Sequence, residues 1–340
     1  MDSFFLAYFK KQVFYNLLKK YKKQSILFHE LFKYFRFKYD TLRKENSGKM
    51  KIEWDETMYT SKIKIDICSL EIISDPSHPW MVMIHGFGGT RHMWKRQVEQ
   101  FKDCYNLMIV ELPGHGDSED GVSGHEDMNF TEIAKLLITH IHKKNIFKAH
   151  FLCVSLGSLI MSAIVELCPE LVDSVLLCGA IFGMDSFGKF LLHSGNAIKH
   201  FFPYMLVIRM LATILMPKSS HKVSRKFLVM ECEKLGRKEF LKWYSLLCME
   251  LNRLGEHIGH FTHINTLVVM GDEDHMFLHP AQQMAAENPH IKTLLMQQCG
   301  HVCSLQKWRE FNMIAAQFFQ NGTLPKTKEL EQIHTTAING

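Results

Sequence analysis

Short apolar segments alternate with amphipathic segments from residue 80 onward. The apolar segments are WMVMIH (80–85), YNLMIVE (105–111), AHFLCV (149–154), DSVLLC (173–178), NTLVVM (265–270) and KTLLMQ (292–297). Runs this continuous are typical of strands covered on both faces, as in a parallel sheet. Between them, apolar residues recur at helical spacing, most clearly over 130–141. The alternation predicts an α/β fold with a doubly wound, mostly parallel sheet.

Two parts of the chain depart from this rhythm. Residues 61–67 and 69–75 alternate between apolar and polar positions, which predicts an antiparallel pair of strands. Between residues 178 and 265 there is no strand pattern, only apolar residues at helical spacing. We therefore expect residues 184–260 to form an inserted helical cap.

These patterns divide the chain into four parts. Residues 1–50 are predicted to be a basic, aromatic-rich helical extension. The α/β core comprises 51–183 and 261–322, interrupted by the helical cap at 184–260. Residues 323–340 are polar and are expected to form a loose C-terminal tail.

Composition narrows the class of protein. Hydrophobic residues make up 46% and charged residues 22%, as in an ordinary globular protein, and no apolar run is long enough to span a bilayer. The nine cysteines are scattered and lie mostly in apolar segments, which argues against a disulfide framework and indicates a reducing compartment. The first residues lack a secretory leader. We therefore expect a cytoplasmic protein.

Charge is concentrated at one end of the chain. Residues 1–51 carry 13 Lys/Arg and 4 Asp/Glu, a net charge of +9, whereas the whole chain is +5 and the remainder is −4. A slightly acidic body argues against nucleic acid as its partner. The aromatic and lysine residues of 1–39 allow two interpretations: interfacial helices on an anionic membrane surface, or a hairpin that packs its rings on the body or on a second subunit. The oligomeric state stays open.

Two motifs follow predicted strands and carry candidate chemistry. Ser155 comes directly after the strand FLCV and before an apolar helix, the layout of a nucleophile elbow with the form G-x-S-x-G. Such a turn needs small residues two before and two after the serine. Gly157 meets this need, and Cys153 is compact although it is larger than glycine. The alternative is a serine that only caps the helix. The second motif, HGFGGT (85–90), would let backbone amides approach a ligand closely, or it would be a glycine turn without function.

Acidic residues and one histidine follow the last two predicted strands. Asp272 and Asp274 come after TLVVM; Asp272 is close enough to the strand to cap the turn, whereas Asp274 lies in the loop proper. His301 follows the final strand, between Cys299 and Cys303. No further Cys or His completes a tetrahedral set there, so we expect no metal.

Taken together, these residues occur in the order Ser155, Asp274, His301, which is the order of the α/β-hydrolase superfamily. The chain resembles this superfamily over about residues 58–320, and ELPGHGDSE (111–119) is similar to its D-x-P-G-x-G-x-S loop. Glu111 stands for the usual Asp of that loop, and Cys153 for the usual Gly of the elbow. Neither departure removes a catalytic group.

The resemblance implies a mechanism and a site. Ser155 would be the nucleophile, His301 its base and Asp274 the orienting acid, while the amides of Phe87 and Leu156 would form the oxyanion hole. No cofactor would be needed, and residues 184–260 would correspond to the variable lid of the family. Some members carry the acid one strand earlier, which in this chain would be Asp185.

The residues and the resemblance together predict a serine hydrolase that cleaves a carboxylic ester, with lipid-like or medium to long acyl esters favoured by the apolar cap. Thioesterase, amidase, acyltransferase and C–C bond hydrolase activities stay open, because a fold does not fix a substrate. A nucleophilic-aspartate enzyme is disfavoured, since position 155 is serine. A non-catalytic binding protein on the same fold is a further alternative.

Overall fold

A computed structural model describes residue 63 and residues 65–323, apart from short gaps at 119–120, 251–260, 262 and 289. The predicted extension at 1–50 and, except for residue 323, the predicted tail at 323–340 lie outside the described residues. No helix in the described part of the chain is long and apolar enough to cross a bilayer.

Seven strands form one sheet. They are β1 (Cys68–Ile72), β2 (Trp80–Ile84), β3 (Asn106–Glu111), β4 (Ala149–Val154), β5 (Val172–Cys178), β6 (Asn265–Gly271) and β7 (Lys292–Met296). Their order across the sheet is β1-β3-β2-β4-β5-β6-β7, with β1 antiparallel to β3 and every other pair parallel. The six apolar segments from residue 80 onward became β2 to β7, so the predicted mostly parallel sheet is confirmed.

Helices cover both faces of this sheet. They are α1 (Lys95–Phe101), α2 (Phe130–Lys143), α3 (Leu156–Leu167), α4 (Ser186–Ile198), α5 (Tyr204–Leu215), α6 (Lys222–Glu250), α7 (Leu278–Glu287), α8 (Cys303–Gln306) and α9 (Trp308–Asn321). Alternate residues of the strands belong to two separate apolar clusters. Val82 and Ile84 of β2 join the cluster that contains α2 and α3, whereas Met81 and Met83 join the cluster that contains α1 and α9. A sheet buried on both faces explains why its strands are almost wholly apolar.

Three helices, α4 to α6, lie between β5 and β6, and we call them the helical insertion. They occupy most of the predicted cap segment, of which 251–260 lies outside the described residues. The long helix α6 is broken at Gly236, whose φ of 77° lies in the left-handed region that favours glycine.

The pairing predicted near the start of the core is not seen among the described residues. Residues 69–75 do contribute a strand, β1, and β1 pairs with β3. Residues 65–67 form no regular ladder, and most of 61–64 lies outside the described residues. In β1 the apolar Leu70 is exposed whereas Ser69 and Glu71 are half-buried, and the alternating pattern could not indicate which strand β1 would meet.

Candidate active site

Ser155 lies on a sharp turn between the last residue of β4 and the first residue of α3. Its backbone has φ 53° and ψ −117°, a strained combination for a residue with a side chain. The amide of Ser155 donates a hydrogen bond of 2.9 Å to the carbonyl of Cys178 at the end of β5. Strained residues held this way by their surroundings occur mainly at functional sites. The turn therefore has the geometry expected of a nucleophile elbow.

The residues around this turn are small because backbone atoms crowd them. A Cβ atom on Gly157 would lie 2.7 Å from the carbonyl oxygen of Ile84, and one on Gly86 would lie 3.1 Å from the Cβ atom of Ser155. Cys153, two residues before the serine, is fully buried within the sheet core. Burial raises the pKa of the Cys153 thiol. The thiol therefore stays protonated and does not compete with Ser155 as a nucleophile.

Ser155, His301 and Asp274 form a continuous hydrogen-bonded relay. The Nε2 atom of His301 lies 2.8 Å from Ser155 Oγ, and its Nδ1 atom lies 2.7 Å from Asp274 Oδ2. Both His301 and Asp274 are buried, so the carboxylate is held away from water. The second oxygen of Asp274 accepts a 3.3 Å hydrogen bond from the amide of Phe277. With Nδ1 donating to the carboxylate, Nε2 is free to accept the proton of the serine hydroxyl.

The two other acids considered from the sequence accept hydrogen bonds from backbone amides instead. Asp272 Oδ1 accepts a 3.1 Å hydrogen bond from the amide of Cys299. Asp185 is exposed and caps α4 by accepting a 2.6 Å hydrogen bond from the amide of Gly188. Of the three candidate acids, Asp274 is the one whose carboxylate contacts His301.

The two amides expected to bind an oxyanion both border the serine. Leu156 is the first residue of α3, so its amide is one of those that a helix leaves without an internal partner. In the loop after β2, the amide of Gly88 donates to His115, and the amide of Gly89 donates to a carbonyl within the same turn. No acceptor contacts the amide of Phe87 among the described residues. The amide of Phe87 thus stays available beside the cavity that Ser155 also lines.

Two buried histidines hold this loop, and neither was predicted from the sequence. His85 donates from Nδ1 to the carbonyl of Gly86 at 2.8 Å and accepts the amide of Leu112 at Nε2, 3.0 Å away. Burial lowers the pKa of His85 to about 4. Burial, followed by the neighbouring His85, also lowers the pKa of His115 well below its ordinary value. Both rings are neutral at pH 7, so one nitrogen of each ring can accept a hydrogen bond from a backbone amide. The position of His85 at the start of a glycine-rich loop was the sequence feature that could have identified it.

The helical insertion contacts the acid and base loops of the site. Glu273, directly before Asp274, accepts hydrogen bonds from Lys218 Nζ at 2.8 Å and from His221 Nε2 at 2.7 Å. The bonds from Lys218 and then His221 lower the pKa of the Glu273 carboxyl. The ring of His221 packs against Gly300, the residue before His301, so closely that a Cβ there would lie 2.8 Å from it.

The insertion also contacts the glycine-rich loop after β2. Thr90 donates a 2.8 Å hydrogen bond to the buried carboxylate of Glu231, whose other oxygen pairs with Lys234. A Cβ on Gly88 would collide with the Cys232 thiol. Helix α6 and the turn before it are thus fastened to the loops on both sides of Ser155.

An apolar cavity opens above the serine. Its volume is about 110 Å³, and the loop after β2 and the helical insertion contribute most of its walls. The apolar lining residues include Met93, Ile181, Leu215, Met216, Phe227, Leu228, Leu247, Phe277, Val302 and Leu305. Apart from backbone groups, its polar lining comes from Ser155, Ser224 and His301, and no Lys, Arg, Asp or Glu of the described residues lines it. In the same part of the chain, no group of three or more His, Cys, Asp or Glu residues could hold a metal ion.

Comparison with known proteins identifies the family. The model of the alpha/beta hydrolase family matches residues 81–313, about two thirds of the chain. The chain belongs to the alpha/beta hydrolase family. Its sheet order, its elbow serine and the position of its insertion between β5 and β6 agree with this membership.

Similar proteins within the family carry different activities in their names. Over 83 residues the chain is 40% identical to the 2-succinyl-6-hydroxy-2,4-cyclohexadiene-1-carboxylate synthase of Citrobacter koseri, which covers 24% of this chain and 31% of the synthase. The chain thus spans about a third of the length of the curated relatives it matches. An esterase from Exiguobacterium antarcticum has a TM-score of 0.65 at 16% identity, over 77% of this chain and 98% of the esterase. A 2-hydroxy-6-oxo-6-phenylhexa-2,4-dienoate hydrolase from Rhodococcus has a TM-score of 0.60 at 16% identity, over 76% and 100%. The two structures share the fold.

Proposed function

We propose that this alpha/beta hydrolase is a serine esterase that cleaves carboxylic esters with apolar acyl groups. The observation that carries the proposal is the relay from Ser155 Oγ through His301 to Asp274, which opens into an apolar cavity. A hydroxyl, a base within hydrogen-bond reach and a carboxylate that orients the base are the parts that nucleophilic acyl transfer requires.

In the proposed mechanism, His301 takes the proton of Ser155 as the serine oxygen attacks the ester carbonyl. Asp274 keeps the histidine in the tautomer with Nδ1 protonated and stabilises the imidazolium that forms. The amides of Phe87 and Leu156 donate to the developing oxyanion. His301 then returns the proton to the leaving alcohol, and water hydrolyses the acyl-enzyme by the same route in reverse.

The lining of the cavity supports an uncharged substrate. The product in the name of the Citrobacter koseri relative carries two carboxylates, and burying a carboxylate without a cation is costly. No Lys or Arg of the described residues lines this cavity. An apolar ester is therefore a better fit to this cavity than a dicarboxylate. This holds against a dicarboxylate substrate of a synthase and against one of a C–C bond hydrolase.

The helical insertion acts as a cap in this proposal. A cavity of about 110 Å³ is smaller than the roughly 300–1,000 Å³ of most ligand sites, and one of about 150 Å³ admits benzene. A medium or long acyl chain therefore requires the cap to move. We expect kcat/KM to be higher for medium-chain esters than for acetate esters, because the longer chain buries more apolar surface.

A fluorophosphonate probe and a substrate panel test the proposal. The panel contains p-nitrophenyl esters of rising chain length, acyl-CoA thioesters and a C–C hydrolase substrate. Ser155→Ala should not be labelled by the probe, and its turnover should be lower by at least about a thousandfold. The control Ser77→Ala, at an exposed serine, should keep wild-type labelling and turnover. If Ser155→Ala keeps more than about a tenth of wild-type turnover, Ser155 is not the nucleophile. Best turnover on acyl-CoA or on the C–C substrate would replace the ester assignment.

A further inference from the structure

In one stretch of the helical insertion, every Lys, Arg, Asp or Glu position is occupied by Lys or Arg. Residues 186–226, which span α4, α5 and the start of α6, contain seven Lys/Arg and no Asp/Glu. Their net charge is thus +7, whereas the whole chain is +5, so the rest of the chain together is −2. Among these cations Lys189, Arg209, Lys218, Lys222 and Lys226 are exposed. Of these, only Lys218 forms an ion pair among the described residues.

The same stretch exposes large apolar side chains. Phe201 is 78% exposed and Val223 is 64% exposed, and Phe190 and Leu206 are also exposed. On α6, exposed Lys226 is a surface neighbour of both Lys222, four positions earlier, and Val223, three positions earlier. Exposed apolar side chains beside lysines are typical of surfaces that lie at a lipid headgroup boundary.

Other residues of the same two helices line the cavity above Ser155. Leu215 and Met216 at the end of α5, and Phe227 and Leu228 on α6, are lining residues. The exposed side chains and the cavity lining thus belong to the same helices. A surface bound at this face would lie next to the part of the insertion that has to move for a long acyl chain to enter.

Charge decides between the surfaces that could cover this face. A second copy of the same stretch would bring the same exposed cations, Lys189, Arg209, Lys222 and Lys226, against these, and residues 1–51 of this chain carry a net charge of +9. Both would repel it. A partner that is anionic and also accepts inserted apolar side chains fits both properties. We propose that residues 186–226 dock on an anionic lipid surface, with Phe201 and Val223 inserted at the headgroup boundary and Lys222 and Lys226 paired with anionic lipid headgroups.

The proposed docking deepens the proposed function and rests on it in one respect. The lipid contact itself needs no catalysis, whereas delivery of an acyl lipid from the surface to Ser155 requires the esterase mechanism. Vesicle binding and ester turnover therefore test the docking and the esterase mechanism separately. Vesicle binding should be the same for the wild type and for Ser155→Ala, even if no ester is ever cleaved.

The experiment measures binding of the full-length protein to vesicles of phosphatidylcholine with and without phosphatidylserine. Wild-type protein alone would not locate the contact, because residues 1–51 are basic as well, so variants carry the test. The charge variant is Lys222→Gln with Lys226→Gln, and its control is Lys95→Gln with Lys143→Gln, two exposed lysines outside the insertion. The apolar variant is Phe201→Ser with Val223→Ser, and its control is Phe147→Ser, which is 66% exposed outside the insertion.

Each lysine near an anionic surface contributes about a fivefold increase in binding, so the charge variant should bind phosphatidylserine vesicles about 25-fold more weakly. The apolar variant should weaken binding about tenfold, and the controls should stay within about twofold. Turnover of a soluble short ester should not change in either variant, whereas turnover of an ester presented in vesicles should fall with binding. Equal binding to both kinds of vesicle, or variants that bind like the wild type, would overturn the proposal. A wild-type dimer that the apolar variant converts to a monomer would also overturn it, by assigning the face to a second copy.

Discussion

The buried, neutral His85 makes the stability of this protein depend on pH in a predictable way. The pKa of His85 falls from an ordinary 6.5 to about 4 in the folded protein because burial disfavours the charged ring. The unfolded chain binds a proton near pH 6.5, and the folded chain does not bind one until about pH 4. The contribution of the neutral ring is therefore complete above pH 6.5 and is lost as the pH falls from 6.5 to about 4. A difference of about 2.5 pKa units corresponds to about 3 kcal/mol.

His85→Gln isolates this contribution, because an amide can accept the Leu112 amide but does not titrate in this range. At pH 7 the variant should be less stable by about 1–3 kcal/mol, since the amide replaces the ring imperfectly in a buried site. On acidification the difference between wild type and variant should shrink by up to about 3 kcal/mol. His115 is present in both proteins, so the part of its pKa shift that burial causes cancels, and only the smaller part that His85 causes does not.

The measurement is the free energy of unfolding in urea, for both proteins, at several values between about pH 7 and about pH 4. The matched control is His290→Gln, at an exposed histidine in the turn before β7, for which the difference should not shrink. A difference between wild type and His85→Gln that stays constant across this range would refute the reasoning, because it would mean that His85 is not held neutral by burial.

Three further predictions concern the site loops. Asp274→Asn should lower kcat by several powers of ten in ester assays, whereas Asp185→Asn should leave it within about threefold; the reverse ranking would move the orienting acid. Glu273→Gln should cost about 1 kcal/mol in urea unfolding, as it weakens a partly exposed cluster, while exposed Glu99→Gln should cost close to nothing. Gly157→Ala should cost about 2–3 kcal/mol or prevent folding, because its Cβ would lie 2.7 Å from the Ile84 carbonyl oxygen; wild-type stability would contradict that geometry.

The sheet was predictable from the sequence because its signal is local. A strand buried on both faces must be apolar at nearly every position, and β3, with NLMIVE fully buried, shows why the run is continuous. The end of α2 and the start of β4 could be recognised from the same local pattern. The partner of β1 could not be, since Cys68 pairs with Glu111 across more than forty residues of chain. The break of α6 at Gly236 was missed as well, because one glycine in a helical pattern has several structural meanings.

The candidate triad was predictable for a different reason. Parallel strands end at a common edge of the sheet, so residues in the turns and loops that follow β4, β6 and β7 are brought to the same edge. Ser155, Asp274 and His301 satisfy that rule. The contacts that support the site could not be predicted from this rule. Thr90 and Glu231, for example, are 141 positions apart, in a loop and a helix, and no local sequence pattern indicates that they pack together.

At the two positions that depart from the family motifs, Cys153 and Glu111, the surrounding residues accommodate the larger side chain. At the elbow, position 157 faces backbone carbonyls and has to be glycine, whereas position 153 points its side chain into the sheet core, where a thiol fits. In the loop after β3, the longer Glu111 still accepts two backbone amides, at 3.3 Å from Arg91 and 2.7 Å from Asp117. It does so only because Gly116, with φ 57°, leaves its carboxylate room: a Cβ there would collide with Oε1. The carboxylate of Glu111 therefore fixes the same loop that carries His115, and through His115 the glycine turn beside Ser155. The departures change which side chain fills a space, and the positions of the candidate triad residues are kept.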